Sequence, residues 1–536
     1  MEALLFPSRT SVLVVGGGPV GLTLSGLLSG YGVDHLLVER RRTASRHPRA
    51  RGVSARSMEV FRRMGLEDAV RAVGLPASQV FFYRGRDLVD PDFVRTGVAA
   101  PADGEPERTP SPGLICSQDQ LEPLLLCHAA GPDASRVRFG VRLVSCAEGD
   151  DGVDAVVEDA ATGARHTVRA DWVVGCDGAG SAVRDGAGIA MTGPTGLGRY
   201  LSIRFEAPLG ELVADRASAS YFLTDRARGG FLAVDNDRHW IYQYPLPADG
   251  TAEPGHFDHQ RLAALVRTAA GVPDLDVTVR DTMTWRMDAR LAGAYRRSRI
   301  LLAGDAAHLT PPTGGHGMNT GIGDADNLAW KLAAVTAGYA GAALLDTYES
   351  ERRPIARQVI DISTANARNR AGYRIDDELL LTAVYRSTAV VPAPGGGAES
   401  ALDPAADLGG RCLRGGRVPH VPLLGGSGAV TSTLDLVGPG FTLLTGAESP
   451  YWRRQADAVG DGVPLAARAL ATGTRRAADA GRWERLTGTP APDAVLLLRP
   501  DGHIAWSADG PTGELPGVLR RVLARESGTG GARNRC

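Results

Sequence analysis

Short apolar runs, each closed by glycine, set the rhythm of this chain. Val12-Leu13-Val14-Val15 is long enough for one buried strand and gives way at once to Gly16-Gly17-Gly18-Pro19-Val20-Gly21. Leucines at helical spacing follow (Leu22, Leu24, Leu27, Leu28). Then come a turn at Gly30-Tyr31-Gly32 and a second run, Leu36-Leu37-Val38, ending on Glu39. The pattern predicts a βαβ unit of about 30 residues. Two later runs repeat the move from strand into glycine. Trp172–Gly175 leads to Cys176-Asp177-Gly178, and Ile300–Ala303 leads to Gly304-Asp305. Past Gly304-Asp305, a loop with Pro311, Pro312, Gly314, Gly315 and Gly317 precedes a helical pattern that begins near Asn319 and runs beyond Pro354. Residues 137–173 alternate in hairpin fashion. From about 201 to 287, short aromatic-rich alternating runs predict a largely antiparallel sheet with one face over a pocket. The Pro/Gly/Ala-rich stretch 390–407 reads as a linker, as 99–112 reads as a surface loop. Strands at 434–437, 441–444 and 494–499 predict a small α/β domain after the linker.

Glycine at these corners has chemical meaning. In GxGxxG, Gly16 allows the tight turn, Gly18 lets backbone approach a pyrophosphate, and Gly21 lets helix and strand pack closely, with Pro19 and Val20 between them. Glu39, with Arg40 beside it, stands where an acid takes the ribose hydroxyls of a dinucleotide, and its charge disfavours a 2′-phosphate. At Gly304-Asp305 the following loop and helix aim backbone N–H groups beyond the strand end. Asp305 repels a phosphate but accepts hydrogen bonds from sugar or ribityl hydroxyls. Asp177 occupies the same kind of corner. Gln118, at a helix start, is a candidate cofactor contact, and Arg49, Arg51 and Arg56 are candidates to meet phosphate or flavin. Tyr221, Phe222, Trp240, Tyr242 and Tyr244 are candidate pocket walls, although core packing is the commoner role for each taken singly.

Composition narrows the class. With 536 residues the chain is too long for one ordinary core and predicts two or three domains. Hydrophobic content of 43%, 22% charged residues and a net charge of −2 describe a globular protein with no basic patch for nucleic acid or a membrane surface. Lys331 is the only lysine. Six cysteines show no CxxC or metal-type spacing, so they read as reduced thiols and predict no metal. No signal-peptide pattern and no apolar window of about 18 residues appears. The expectation is a cytoplasmic protein, monomeric or homodimeric, acting on a small molecule.

Three signatures occur in order: GGGPVG with Glu39, CDGAGSAVR at 176–184, and GDAAHLTPPTGGHGMNTGIGDADNLAWKL at 304–332. Together they resemble the class A flavoprotein aromatic hydroxylases, the para-hydroxybenzoate hydroxylase fold, over roughly residues 10–370. LLLRPDGHIAW at 496–506 is similar to the thioredoxin-like tail of the larger aromatic polyketide and phenol hydroxylases. The stretches at 47–65 and 431–444 resemble indolocarbazole and anthracycline tailoring oxygenases.

The resemblance implies an α/β fold in three parts. A Rossmann-like FAD-binding domain takes residues 1–190 and 286–395, an interleaved, mainly antiparallel substrate sheet takes 191–285, and a thioredoxin-like domain without CxxC takes 396–536. It also implies extended FAD, with Gly16, Gly18 and Gly21 at the pyrophosphate and Glu39 at the adenosine ribose. Arg49 and Gln118 would lie near the ribityl–isoalloxazine side, and Asp305 at the ribityl hydroxyls. Backbone N–H groups of Gly317, Met318 and Asn319 would meet the pyrimidine edge, where a reduced flavin carries negative charge. Gly304, Gly315 and Pro312 complete that wall. NAD(P)H would dock transiently, since no second GxGxxG exists, and O2 would yield a flavin C4a-hydroperoxide that hydroxylates an aromatic, polycyclic substrate. Arg49, Pro312 and His316 are the candidates for a chemical role, His308 is expected to cap structure beside Asp305, and no substrate base stands out. Baeyer–Villiger-type insertion, oxidative rearrangement and a cyclase with non-redox flavin are the alternatives on this scaffold.

Overall fold

The computed structural model describes residues 6–45, 47, 49–97, 107–131, 133–225, 228–247, 257–368, 376, 378–392, 401–402, 413–425, 430–460, 462–472, 475–477 and 493–525. Most of the expected linker at 390–407, part of the expected loop at 99–112, and Cys412 and Cys536 lie outside them.

The apolar runs become the parallel centre of an eight-stranded sheet. Its order runs Ile300–Leu302, Arg165–Gly175, Arg9–Val15, His35–Glu39, Val137–Phe139, with Arg296–Arg297 antiparallel at one edge. Val12 to Val15 and Leu36 to Val38 are all buried, as strands covered on both faces must be. Register decides function here. Val15 pairs with Gly175 and Gly175 with Leu302. The three glycine corners that follow these residues therefore leave the sheet side by side at its carboxyl end. Helix Pro19–Gly30 starts from the first corner with proline at its first turn. Helix Gly317–Thr336 crosses it closely because Gly321 has no side chain: a Cβ there would lie 2.5 Å from Val20 Cγ2.

A seven-stranded sheet faces these corners, in the order Thr278–Met287, Gly198–Glu206, His239–Pro245, Gly230–Ala233, Ser220–Leu223, Phe81–Gly85, Val94–Gly97. The first five strands pair antiparallel, as expected. The last two come from within the segment assigned to the first domain, and Phe81–Gly85 joins Ser220–Leu223 in parallel. The sheet expected within 191–285 therefore also takes in 81–97. Its outer face packs with helix His259–Ala270 into a second core containing Tyr83, Phe231, Leu262 and Val266.

The C-terminal part has strands Leu465–Ala471, Phe441–Ala447, Val495–Leu498 and Ile504–Ala508 in that order. The first pair is parallel and bridged by helix Pro450–Ala458, the others are antiparallel, and helix Leu515–Val522 follows. This is the thioredoxin-like arrangement. The tip between its last two strands enters the first domain. There Arg499 grips Glu351 through both nitrogens (2.7 and 2.9 Å), and Lys331 meets the same carboxylate at 2.7 Å, all fully buried. Among the described residues no helix is long and apolar enough to cross a membrane.

Candidate active site

Between the glycine corners and the inner face of the seven-stranded sheet lies a cavity of about 1980 Å³. Of the residues singled out from sequence it gathers Gly16, Gly18, Pro19, Val20, Glu39, Arg40, Arg49, Gln118, Asp177, Asp305, Pro312, Gly315, His316, Gly317, Met318 and Asn319. Gly21 and Gly304 sit behind its wall.

The first corner divides its labour among three glycines. Gly16 has φ +114°, and a Cβ on it would lie 2.3 Å from the Cys176 carbonyl oxygen. A Cβ on Gly21 would lie 1.9 Å from the Gly16 carbonyl oxygen. Both are packing requirements. On Gly18 a Cβ would meet nothing within 4 Å, because that residue borders the cavity. Here the helix N-terminus has no side-chain cap, so its first N–H groups are left for a ligand. An open cradle on an uncapped helix suits a pyrophosphate. Beyond it, Glu39 accepts hydrogen bonds from Gly17 N (2.6 Å) and from Arg41 N and Nε (2.8 and 2.9 Å). Burial alone would raise its pKa, but Arg41 and the two backbone donors hold it below the usual carboxylate range. A fixed anion at that end matches sugar hydroxyls.

At the third corner, Gly304 turns with φ +62°, and Asp305 projects into the cavity. Asp305 is open to the cavity yet enclosed by protein, and that enclosure raises its pKa. The corner is locked from behind by Asp324, which accepts from Gly304 N (3.1 Å), His308 Nε2 (2.8 Å) and Arg352 Nε (2.8 Å). Burial works against the Asp324 charge, but His308 and Arg352 keep its pKa low. His308 thus braces this corner through Asp324, not through Asp305. Helix Gly317–Thr336 begins with His316 as an N-cap that makes no capping hydrogen bond, which leaves the N–H groups of Gly317, Met318 and Asn319 without an intrahelical acceptor. The Asn319 side chain is fully engaged, accepting from Ser54 N and Ser57 Oγ and donating to the Gly52 and Gly315 carbonyls. Only its backbone is left for a ligand. The His316 ring folds over Gly314, and burial pushes its pKa down to about 4, so it is neutral near pH 7.

Several candidates have other duties. Asp177 accepts from Ser181 Oγ (2.5 Å) and Val183 N (3.1 Å), so it caps the next helix while bordering the cavity. Gln118 accepts from Ala50 N and donates to Glu122, bracketing the loop that carries Arg49. Arg56 is taken by Glu59, Asp326 and the Asp501 carbonyl and does not line the cavity.

The substrate side needs a larger correction. Alternation places Trp240 and Tyr242 on the outer face: Trp240 meets Tyr221 edge-on (5.6 Å), and Tyr242 stacks on Phe231 (4.8 Å). Neither lines the cavity. Tyr221 borders it, but its ring is in that core and its hydroxyl is held by Asn236 and Ser218. The inner face is one cross-strand row, Met283–Ser202–Gln243–Gly230–Phe222–Arg84, flanked by Trp285–Tyr200 and by Leu232–Ser220–Phe82. Tyr200 and Trp285 stack on each other at 4.4 Å with planes 13° apart, an aromatic pair in the cavity lining. The available signal was Gln243, a polar residue between Tyr242 and Tyr244 that marks the cavity face of its strand.

Comparison with known proteins agrees with this geometry. The family model described as FAD binding domain matches residues 9–363, and that described as Aromatic-ring hydroxylase, C-terminal matches 411–526. The chain is 39% identical to Tetracenomycin B2 monooxygenase-dioxygenase of Streptomyces olivaceus, covering 96% of this chain and 98% of that one. It is 37% identical to Aklavinone 12-hydroxylase RdmE of Streptomyces purpurascens, covering 96% and 99%. Among solved structures it is similar to the flavin-dependent monooxygenase PieE in complex with FAD and substrate (TM-score 0.86, 32% identity, 96% and 99% covered). It is also similar to aklavinone-11 hydroxylase in a ternary complex with FAD and aklavinone (TM-score 0.84, 34% identity, 97% and 100% covered).

Proposed function

The chain belongs to the FAD-binding aromatic-ring hydroxylases, and from that membership we propose that it is a monooxygenase hydroxylating a polycyclic aromatic, polyketide-type intermediate with NAD(P)H and O2. The observation that carries this reading is that one cavity is lined by an open glycine cradle, an uncapped helix start and a stacked aromatic pair. Bound FAD supplies electron storage and O2 activation; the remaining work falls to this chain's residues. Gly18 and the first turn of helix Pro19–Gly30 would hold the pyrophosphate, Glu39 the adenosine ribose and Asp305 the ribityl chain. The N–H groups of Gly317, Met318 and Asn319 stabilise negative charge placed against the helix start, because they are preorganised there. Pro312, which has no N–H, gives that wall an inert face. Tyr200 and Trp285 orient a planar ring system by stacking, and neutral His316 adds no charge near it.

The test is direct. Purified protein should carry FAD, oxidise NAD(P)H faster when a hydroxylated anthraquinone or naphthacenequinone is present, and place one atom from labelled O2 in the product. A transformed substrate without labelled oxygen, with flavin left oxidised throughout, refutes it and favours a non-redox cyclase.

A further inference from the structure

One buried cation on the cavity wall has no counterion. Among the described residues six arginines are buried, and five of them hold a carboxylate at 2.7–3.2 Å: Arg56 with Glu59, Arg184 with Asp185, Arg352 with Asp324, Arg417 with Glu59 and Arg499 with Glu351. The sixth is Arg51. Among the described residues it makes no ion pair, and its one side-chain hydrogen bond runs from Nη2 to the Ala233 carbonyl (2.5 Å). Nε has no acceptor and is closed off; Nη1 has none either but is not closed off, and the residue borders the cavity. A guanidinium carries five N–H donors. Setting aside Nε and the donor given to Ala233, three on the η nitrogens remain for a ligand. Burial without an ion pair pulls the Arg51 pKa down to about 10, with Asp119 and Tyr221 opposing only in part, so the group is still charged near pH 7. A buried charge is costly unless something pairs it.

The surroundings narrow what that partner is. Arg51 precedes strand Gly52–Val53, which pairs with Leu114–Ile115, and its carbonyl accepts from Cys116 N (2.8 Å). Leu75 N is tied to the Ile115 carbonyl (2.8 Å). From this ladder the side chain reaches across to the end of strand Gly230–Ala233 in the seven-stranded sheet. The cavity lining beside it is apolar: Leu75, Leu114 and Ile115 on the ladder side, Leu232 on the sheet side. Arg71, which also borders the cavity, is neutralised by Glu67 at 2.7 Å. Asp119 acts on Arg51 only at longer range than an ion pair and faces Arg204 at 3.9 Å. One unpaired planar cation among leucines suits a planar monoanion; a phosphate would bring more charge than it can offset. Two parallel N–H groups of a guanidinium match the two oxygens of a carboxylate.

We propose that Arg51 anchors a carboxylate of the polycyclic substrate, so that this enzyme takes a free acid in preference to its ester or amide. The proposal rests on the reading of this cavity as the pocket for a polycyclic aromatic. Leu232 and the Tyr200–Trp285 pair flank the inner-face row through Gln243 and Gly230 from opposite sides. A ring system lying along that face is therefore held by its charged end at Arg51 and by its flat end at the aromatic pair, which fixes which way round it enters. No bond forms or breaks at Arg51; its part is selection and orientation. An ester or amide leaves the guanidinium buried and unpaired, and that penalty is the source of the discrimination.

The experiment uses FAD-loaded enzyme without nicotinamide, so that nothing turns over. It is titrated near neutral pH with 4,5-dihydroxyanthraquinone-2-carboxylic acid, its methyl ester and its carboxamide, and the change in flavin absorbance gives each Kd. Wild type should bind the acid about tenfold or more tighter than either neutral analogue. Arg51→Gln should bring that ratio to about one by weakening the acid alone, with FAD content unchanged. Arg51→Lys should keep part of the preference, because the charge stays while the fork is lost. The wild-type comparison needs no variant, so the test stands even if a substitution at this buried position prevents folding. Equal affinity of wild type for acid and ester overturns the anchor and leaves the pocket reading standing. An Arg51→Gln enzyme that keeps the acid preference but loses FAD also overturns it, and assigns the cation to the cofactor. Wild type that binds none of the three probes sinks the pocket reading and the anchor with it.

Discussion

Replacing the three corner glycines one at a time separates what the fold requires from what a bound anion requires. Alanine at Gly21 would drive its Cβ to 1.9 Å from the Gly16 carbonyl oxygen, and alanine at Gly16 to 2.3 Å from that of Cys176. Both obstacles are backbone, so the expected loss is about 1–3 kcal/mol from overpacking, with a further strain of about 1–3 kcal/mol at the left-handed φ of Gly16. Gly18 differs. Its φ of −83° and ψ of −176° suit any residue, and its Cβ would meet no protein atom within 4 Å. Gly18→Ala should leave the apoprotein within about 0.5 kcal/mol of wild type. The same methyl would stand between backbone and pyrophosphate. Losing one charge-assisted hydrogen bond costs about 1.5–3 kcal/mol, which raises the Kd for FAD about 10- to 150-fold. Thermal unfolding of stripped protein gives the first quantity, and quenching of flavin fluorescence on titration gives the second. A Gly18→Ala protein that rebinds FAD with wild-type affinity would show that no anion lies at this corner.

Three further outcomes follow from the geometry. Trp285→Ala should weaken binding of planar aromatics about tenfold, with FAD content unchanged, because it breaks the stacked pair and frees Gln243; Trp240→Ala should instead lower stability by about 3–5 kcal/mol. Equal effects on binding would mean that the two faces of the sheet have been misassigned. Burial alone would raise the Glu351 pKa, but Arg499 and Lys331 bring it from 4.5 to about 2, so the stability it contributes is complete above pH 4.5 and is lost as pH falls toward 2. Glu351→Gln should unfold more easily in urea at neutral pH, by about 3–5 kcal/mol, and show a flatter acid limb over that window; an unchanged limb counts against the assignment. For His316, whose pKa falls from 6.5 to about 4, stability is full above pH 6.5 and declines toward pH 4, and His316→Gln should abolish that decline in urea midpoints.

What could be read from the sequence was whatever backbone geometry imposes on residue type. Gly16 and Gly21 announce their corner because a side chain there would strike backbone, and Gly304 does so because of its left-handed φ and its contact with Val20; Gly18 is legible only as part of that spacing. The phase of a strand is harder to read. His239–Pro245 carries Trp240, Tyr242 and Tyr244 on one face and Gln243 on the other, and a search for aromatic walls picks the wrong one. Both faces of that sheet are covered, so hydrophobicity does not tell core from pocket; the isolated polar residues do. Strands Phe81–Gly85 and Val94–Gly97 join a sheet whose other members begin 100 residues later, which no local pattern reveals. The Arg51–Ala233 contact spans 182 residues and exists only after folding.

Arg499 and Asp501 have a consequence for how this architecture can be trimmed. A shortened chain ending before the thioredoxin-like part would keep Glu351 with Lys331 alone as its buried cation, and would leave Trp330 without the carboxylate that accepts its indole N–H at 3.1 Å. The appendix is therefore not detachable cargo but the lid on an electrostatic fuse. Any natural or designed tailless version has to rewire positions 331 and 351 first.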